Sequence, residues 1–437
     1  MQKWDDDFVV RTGGHPICWQ SVQLKTTYPQ PRRNPALRTR NKILYLSQLI
    51  LLGLCGSYLS FRSPAMAQPH ILSFKPQSRD IALREKGRGT RWNASGRYEP
   101  ESREQTDEDW DALPEEDRTR RRTTVTPEFP KTIINKIRSP YVAMTRSINP
   151  YRGCEHGCSY CFARPTHAYH GLSPGLDFET NLFAKPGAAE LLTAELSRPR
   201  YKVIPIQIGT NTDAYQPVER EQRIMRGIVQ VLHDFNHPVS ILTKNALVLR
   251  DLDLLTPMGA KNITRVMMSI TTQDRHLARA MEPRTSTPDK RFDAIRQLSE
   301  AGIQTGIMLG PMIPGLNDSE LEGIMARAAD NGATFSAFTI LRLPQEVAPI
   351  FKEWLETYAP NRARRILHHI HVMNNGRDYD PSWVRVAEPR TPFAQLITQR
   401  YRMAQRKYDI IPREDRQPLN RSLFRVPSHV SGQGELF

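Results

Sequence analysis

The sequence predicts an α/β protein built on a partial (βα)6 barrel, with a flexible N-terminal arm and a helical C-terminal extension. Short apolar or β-branched runs alternate with helical patterns from about residue 141 onward. There are six such runs, too few for the closed eightfold barrel. Three of the five cysteines crowd into one loop just after the first run, where parallel α/β folds gather their chemistry.

The first strand is expected near residues 144–149. The second, residues 203–211 (VIPIQIGTN), precedes a helix carrying Ile224, Ile228, Val231 and Leu232. The third, 239–245 (VSILTKN), leads into LVLRDLDLL. The fourth, 263–272 (ITRVMMSITT), precedes a helix built on Phe292, Ile295 and Leu298. The fifth, 304–313 (QTGIMLGPMI), precedes one built on Leu321, Ile324, Met325 and Ala328. The sixth, 334–344 (TFSAFTILRLP), precedes VAPIFKEWLETY. Nearly continuous apolar strands between amphipathic helices imply a parallel sheet covered on both faces.

This divides the chain into a hydrophobic N-terminal extension (1–65), a polar and largely extended arm (66–140), the barrel (141–345) and a helical extension with a tail (346–437). Residues 43–61 form a 19-residue stretch without charge, flanked by RTRNK and AMA. RRNPAL at 32–37 faintly echoes a twin-arginine signal. The segment reads either as a signal or membrane anchor, or as an upstream extension of a frame whose true first residue is Met66. Membrane association is expected only if that segment is part of the mature protein. From 79 to 131 the chain is polar and of mixed charge, the composition of a flexible or extended arm. Its arginine cluster at 118–122 is read as a solvated linker or as a phosphate contact.

The formal net charge is +15, of which +6 lies in residues 1–65, leaving +9 on the remainder. That excess is a moderate pull toward phosphate-rich partners, or simply a solvated basic face. Cys18 and Cys55 stand alone and the other three cluster, which is not a disulfide framework. Clustered thiols in a long chain suit metal binding in a reducing compartment, so the expected location is the cytoplasm.

The cluster is NPYRGCEHGCSYCFAR, with Cys154, Cys158 and Cys161 spaced C-x3-C-x2-C. No cysteine follows Cys161. Three thiolates on a [4Fe–4S] cluster leave one iron with open coordination sites, able to chelate a ligand bearing both an amine and a carboxylate. The alternative is a structural zinc with His156, His167 or His170 as fourth ligand, in a non-enzymatic nucleic-acid-binding protein. That alternative leaves the βα pattern unexplained.

The motif, with Tyr160 just before its third cysteine, resembles the radical SAM superfamily. The resemblance implies a [4Fe–4S] cluster and S-adenosylmethionine as cofactors, reductive cleavage to a 5′-deoxyadenosyl radical, and a reductant such as flavodoxin or ferredoxin. Between residues 146 and 344, GTNTDAYQPVE, LTKN, SITT, MEPR and PMIPGLND are similar to the branch containing spore photoproduct lyase and proteins labelled DNA repair photolyases. By that similarity Thr212 and Asp213 meet the methionine amino group, and Lys244 and Ser269 the cofactor carboxylate or ribose. Tyr160 offers its backbone carbonyl to adenine. Glu282 and Arg284 reach the ribose or substrate, or form an ion pair. Pro311, Pro314 and Gly315 shape the turn beside the adenine pocket. One departure matters: Thr210 stands where spore photoproduct lyase carries its hydrogen-atom-donating cysteine, so that reaction is not expected here.

The chain ends GQGELF, and Gln433, Leu436 and Phe437 fit a Q-x-x-L-F pattern. The pattern resembles the peptides by which bacterial proteins dock on the replication sliding clamp; the plainer reading is a tail packed on its own domain. The preceding helix, 395–408, carries Arg400, Arg402, Arg406 and Lys407. Both features lean toward DNA as partner or substrate, with a peptide or small molecule as the alternative substrate.

Overall fold

Each of the six expected βα units is present in the computed structural model, which describes residues 87–99, 122–137, 144–381, 391–412 and 415–431. In chain order the first five strands are β1 (Thr124–Pro127), β2 (Asn135–Lys136), β3 (Arg146–Ile148), β4 (Tyr151–Arg152) and β5 (Asn181–Ala184). The other six are β6 (Ile206–Ile208), β7 (Val239–Thr243), β8 (Thr264–Ile270), β9 (Gln304–Met312), β10 (Phe335–Ile340) and β11 (Ile411–Pro412). The main sheet runs β11-β10-β9-β8-β7-β6-β3-β2. All neighbours in it are parallel except the β2–β3 pair at one edge. The described strands thus form an open, partial barrel whose edges are the two-residue strands β2 and β11. Very short edge strands leave little unpaired backbone to recruit another chain.

Helices cover the sheet because the sequence gives each one an apolar stripe. Ile224–Asp234 buries Ile224, Met225, Ile228, Val229 and Leu232; Pro288–Glu300 buries Phe292, Ile295 and Leu298. Leu321–Asp330 buries Leu321, Ile324, Met325 and Ala328. Strand β8 is buried at all seven positions, as expected for a strand covered on both faces. Its one long polar residue, Arg265, donates from Nη2 to the Gln417 carbonyl at 2.8 Å. Helices Val347–Tyr358 and Pro360–Met373 form a second apolar body around Trp354, which also receives Cys158 and Tyr160. The basic helix runs Pro392–Lys407, three residues earlier than the sequence pattern suggests. Proline is tolerated at the first helical turn, and the Thr391 hydroxyl caps it by accepting from the Ala394 N–H.

Two stretches of the expected arm belong to the fold. In the second sheet, β1 lies parallel to β5 and β4 antiparallel to it, while β2 pairs with β3. Arg88 and Thr90 are buried. The low apolar content of 87–99 is compatible with burial because hydrogen bonds, rather than an apolar stripe, hold this stretch down.

The residues 1–65 with their uncharged segment, Met66, Cys18, Cys55, arginines 118–121, Gln433, Leu436 and Phe437 all lie outside the described residues. Among the described residues no helix is long and apolar enough to cross a membrane.

Candidate active site

The cysteine loop springs from the C-terminal end of β3. There the Asn149 side chain accepts from the Thr210 hydroxyl and the Asn211 N–H, both at 3.1 Å, which ties the first barrel strand to the end of β6. The loop turns tightly at Gly153 and Gly157, both at positive φ. A Cβ at Gly153 would come within 2.8 Å of the Phe178 carbonyl, so the turn requires glycine on steric grounds as well. Cys154 and Cys158 are buried free thiols, and Cys161 is half-buried.

The three thiols feel one another. Burial pushes the Cys154 thiol up, with Asp213 and Cys161 adding to it; burial does the same to Cys158, with Glu282 next and Lys244 opposing. Burial also raises Cys161, against the nearby Arg164. Thiols held protonated in this way ionise when a metal supplies the positive charge. Backbone N–H groups are placed to receive that charge: those of Asp213 and His156 on Cys154, those of Ala163 and Arg164 on Cys161.

Among the described residues, no three His, Cys, Asp or Glu side chains converge on one metal-ion position. Zinc holds its thiolates about 2.3 Å from a single centre, whereas a four-iron cluster keeps them apart around a cube. Three thiols, soft donors of the kind iron–sulfur clusters take, are the donor set the loop offers. His156 faces Asp213 through Nδ1 (3.5 Å) and Asn245 through Nε2 (3.3 Å), and His167 sits among the rings of Phe178, Phe183 and His170.

Beside the loop lies a buried charge hub centred on Glu282. Its carboxylate accepts from Lys244 Nζ (3.0 Å), Arg291 Nη2 (2.5 Å), Thr271 Oγ1 (2.6 Å) and the Tyr160 hydroxyl. Burial opposes its charge, but Arg291 and Lys244 outweigh that and hold the carboxyl well below the usual range. Lys244 also donates to Ser269 Oγ at 2.9 Å and to Thr271 at 3.4 Å, and sits over the Tyr160 ring. Lys244, Ser269 and Tyr160, singled out separately in the sequence, thus meet at one place. Tyr160 contributes its ring and hydroxyl to the hub. Glu282 is an ion-pair centre, and Arg284 pairs with Glu155 at 3.0 Å.

Thr212 and Asp213 are more heavily engaged than a bare ligand pair. The Thr212 hydroxyl donates to the Gly153 carbonyl (2.7 Å) and accepts from Gln216 (3.1 Å). The Asp213 carboxylate accepts from the N–H groups of Tyr215 (2.9 Å) and Lys244 (2.7 Å) and from the Thr243 hydroxyl (2.7 Å). Together they lash the end of β6 to the cysteine loop on one side and to the end of β7 on the other. The 311–315 turn is pinned by Asn317, which accepts from the Ile313 N–H and donates to the carbonyls of Thr271 and Pro311.

Sequence reasoning missed Thr271, Arg291, Asn149, Gln216 and Asn317. Each acts across 30 residues or more or through backbone groups; all but Arg291 stand inside the motifs quoted above, beside the residues that were singled out. The available signal was membership of those motifs, as with the doublet Thr271–Thr272 at the end of β8.

The family model of the Radical SAM superfamily matches residues 148–328. An uncharacterized protein of Mycobacterium tuberculosis is 35% identical over 277 residues, covering 63% of this chain and 80% of that protein. One from Methanocaldococcus jannaschii is 30% identical over 173 residues, covering 40% and 62%. Among solved structures, a spore photoproduct lyase variant aligns with a TM-score of 0.47 at 15% identity, over 66% of this chain and 81% of that one. A radical S-adenosylmethionine methyltransferase from Kitasatospora setae, with cobalamin and a [4Fe–4S] cluster bound, aligns with a TM-score of 0.34 at 17% identity, over 45% and 37%. The matched family model takes in the three thiols, the strands β6 to β9 and the Glu282 carboxylate with its partners, and a relative 35% identical is covered over 80% of its length; the chain belongs to the radical SAM superfamily, as an enzyme with a [4Fe–4S] cluster and S-adenosylmethionine for cofactors.

Proposed function

We propose that Cys154, Cys158 and Cys161 hold the cluster, that Lys244 and Ser269 receive the carboxylate end of S-adenosylmethionine, and that the substrate is DNA. The observation that carries the first two parts is the meeting of three thiols and a lysine at the C-terminal ends of parallel strands, with N–H donors on two of the sulfurs. When bound, the cluster and S-adenosylmethionine supply an electron and a 5′-deoxyadenosyl radical that abstracts a substrate hydrogen.

The chain's own residues bind and orient. Lys244 keeps its bonds to Glu282 and Ser269; its longest contact, 3.4 Å to Thr271, is the one a ligand carboxylate would displace. Asp213 holds Lys244 from its backbone side and braces the loop carrying Cys154. With its carboxylate so occupied, Asp213 acts mainly on the shape of the site. A charge-assisted hydrogen bond from a positioned ammonium to a carboxylate is among the stronger kinds available. The Thr210 hydroxyl, engaged with Asn149, is no source of hydrogen atoms, so the reaction differs from one that uses a cysteine donor.

DNA is supported by the +9 outside residues 1–65 and by exposed Arg402 and Arg406. These line a shallow depression of about 320 Å³ with Gln395, Thr398 and Gln399. Arg400 is not part of that surface, since it pairs with Glu322 at 2.5 Å. We also propose that Gln433, Leu436 and Phe437 dock on the sliding clamp, that flavodoxin or ferredoxin delivers the electron, and that the protein works in the cytoplasm.

The test is anaerobic reconstitution, then dithionite and S-adenosylmethionine, read as 5′-deoxyadenosine. None from fully loaded protein would overturn the lysine assignment, and a chain that takes up no cluster would overturn the cysteine assignment. DNA binding is measured separately by fluorescence anisotropy at low salt. If none appears, a peptide or small-molecule substrate takes its place.

A further inference from the structure

A short N-terminal stretch, residues 88–93, lies against the cysteine loop and is laced into it. The Gly89 N–H donates to Glu179 Oε2 at 2.8 Å, and a Cβ at Gly89 would collide with the carbonyl oxygen of Gly157, inside the C-x3-C segment. Glu179 Oε1 accepts from Arg164 Nη2 at 2.5 Å, and both side chains are fully buried. Arg164 in turn donates from Nε to the Cys158 carbonyl (3.0 Å) and from Nη1 to the carbonyls of Pro174 and Gly175. Arg88 closes the lacing: Nη1 donates to the Glu179 carbonyl (2.8 Å) and Nη2 to the Thr123 hydroxyl (3.1 Å). Thr123 donates to Glu155, which neighbours Cys154, at 2.5 Å. Further along, the Leu176 N–H donates to the Trp92 carbonyl, and a Cβ at Gly175 would collide with that same carbonyl.

Three of these contacts end inside the cysteine loop, on Gly157, on the Cys158 carbonyl and on Glu155, and residues 88–93 lie 60 or more positions before that loop. We propose that residues 88–93 are a strap that positions the cysteine loop and closes that side of it to solvent. Gly89 and Arg88 are its positioning residues, acting through Glu179 and Arg164. Groups that orient first ligands, and the solvent exposure of a cluster, set how firmly metal is held and at what potential it is reduced. The strap would therefore control iron retention and reduction potential without touching iron.

This rests on the proposal that the three cysteines hold the cluster, but its first readout does not need one. Gly89→Ala forces the strap off without altering any ligand; Arg88→Ala loosens it without a clash. In the full-length, metal-free chain, alkylation of Cys154 and Cys158 followed by peptide mass spectrometry should be roughly tenfold faster in Gly89→Ala, and faster by less in Arg88→Ala. In reconstituted protein, Gly89→Ala should lose iron to a chelator with roughly tenfold weaker retention and show a shifted midpoint potential. A purely structural role would lower the melting temperature yet leave that potential in place. Wild-type alkylation rates in both variants would overturn the strap, whether or not a cluster forms. A wild-type chain that takes up no cluster overturns the cysteine assignment instead, and the alkylation rates still decide the strap.

Discussion

Glu179 and Glu282 are both fully buried carboxylates joined to a buried arginine at 2.5 Å, yet they are built for different tasks. Around Glu179 every partner is internal: Arg164, the Gly89 N–H, and the Arg88 guanidinium on its carbonyl. Around Glu282 one partner is not. Lys244 reaches it from the mouth of the barrel, with its side chain 16% exposed, against none for Arg164. A hub with a cation at the solvent boundary has a donor to lend to a ligand. A sealed hub can only hold shape. With S-adenosylmethionine bound as proposed, binding falls on one side of the cysteine loop and bracing on the other.

The largest effect is expected in the loop between the hubs. Cys158→Ser should abolish 5′-deoxyadenosine formation, because it removes a thiolate from a set of three. The readout is anaerobic turnover together with the iron content of the reconstituted variant. A variant that kept both would detach the loop from either hub.

Next come substitutions that separate the hubs. Glu282→Gln strands Arg291 and should cost about 3–5 kcal/mol in urea unfolding, the usual loss when one partner of a buried pair is removed. Lys244→Met leaves Glu282 paired with Arg291 and should cost far less stability, while S-adenosylmethionine binding by equilibrium dialysis falls tenfold or more. Arg164→Met should do the reverse, destabilising by about 3–5 kcal/mol as Glu179 loses the buried guanidinium on its carboxylate. If Lys244→Met and Arg164→Met give the same unfolding curve, the contrast between a sealed and an open hub is wrong.

Acid separates the hubs from other buried groups. The depressed carboxyl of Glu282 contributes stability above the ordinary carboxylate range, lost only as pH falls through its lowered folded value. His167 and His237 behave differently. Burial lowers each from 6.5 to about 4, so the unfolded chain takes up their protons first. Their contribution is whole above pH 6.5 and declines as pH falls toward 4, by up to about 3 kcal/mol each. His167→Phe should flatten part of that slope in urea midpoints taken from pH 7 to 4; an unchanged slope would show that His167 charges freely in the fold.

The barrel was legible in the sequence because a strand buried on both faces leaves a nearly continuous apolar run, and β8 and β9 do so. The three cysteines were legible because their ligand spacing is local. The Glu282 hub was half legible: Tyr160, Lys244 and Ser269 sit in short motifs, but Arg291 reaches the hub from a helix whose apolar stripe conceals it. The Glu179 hub was not legible. Its partners lie up to 91 residues apart, and the stretch that seals it has the composition of a linker. Hydrogen bonding through backbone groups leaves no periodicity to read.

The smallest effect is expected on the outer helix, where the same distinction recurs on a basic surface. Arg400 is spent on Glu322 and on the Asp318 carbonyl, so only Arg402, Arg406 and Lys407 face solvent from that row. If this surface meets DNA, each phosphate it neutralises releases condensed counterions, and log K falls against log salt with a slope of about −0.9 per contact on duplex DNA. Replacing Arg402 and Arg406 together by alanine should lower the slope by about 1.8 and weaken binding at low salt equally for all sequences. Arg400→Ala should leave the slope unchanged and instead lower stability slightly, as expected for a pair that is only partly buried. Removing residues 433–437 should leave DNA binding as it was while abolishing retention on an immobilised sliding clamp, since docking through Leu436 and Phe437 rests on apolar burial and is little affected by salt. Anisotropy titrations at several salt concentrations decide the matter: a slope that falls equally with Arg400→Ala would mean that its pairing with Glu322 opens on DNA, and that this helix makes no such division between bracing and binding.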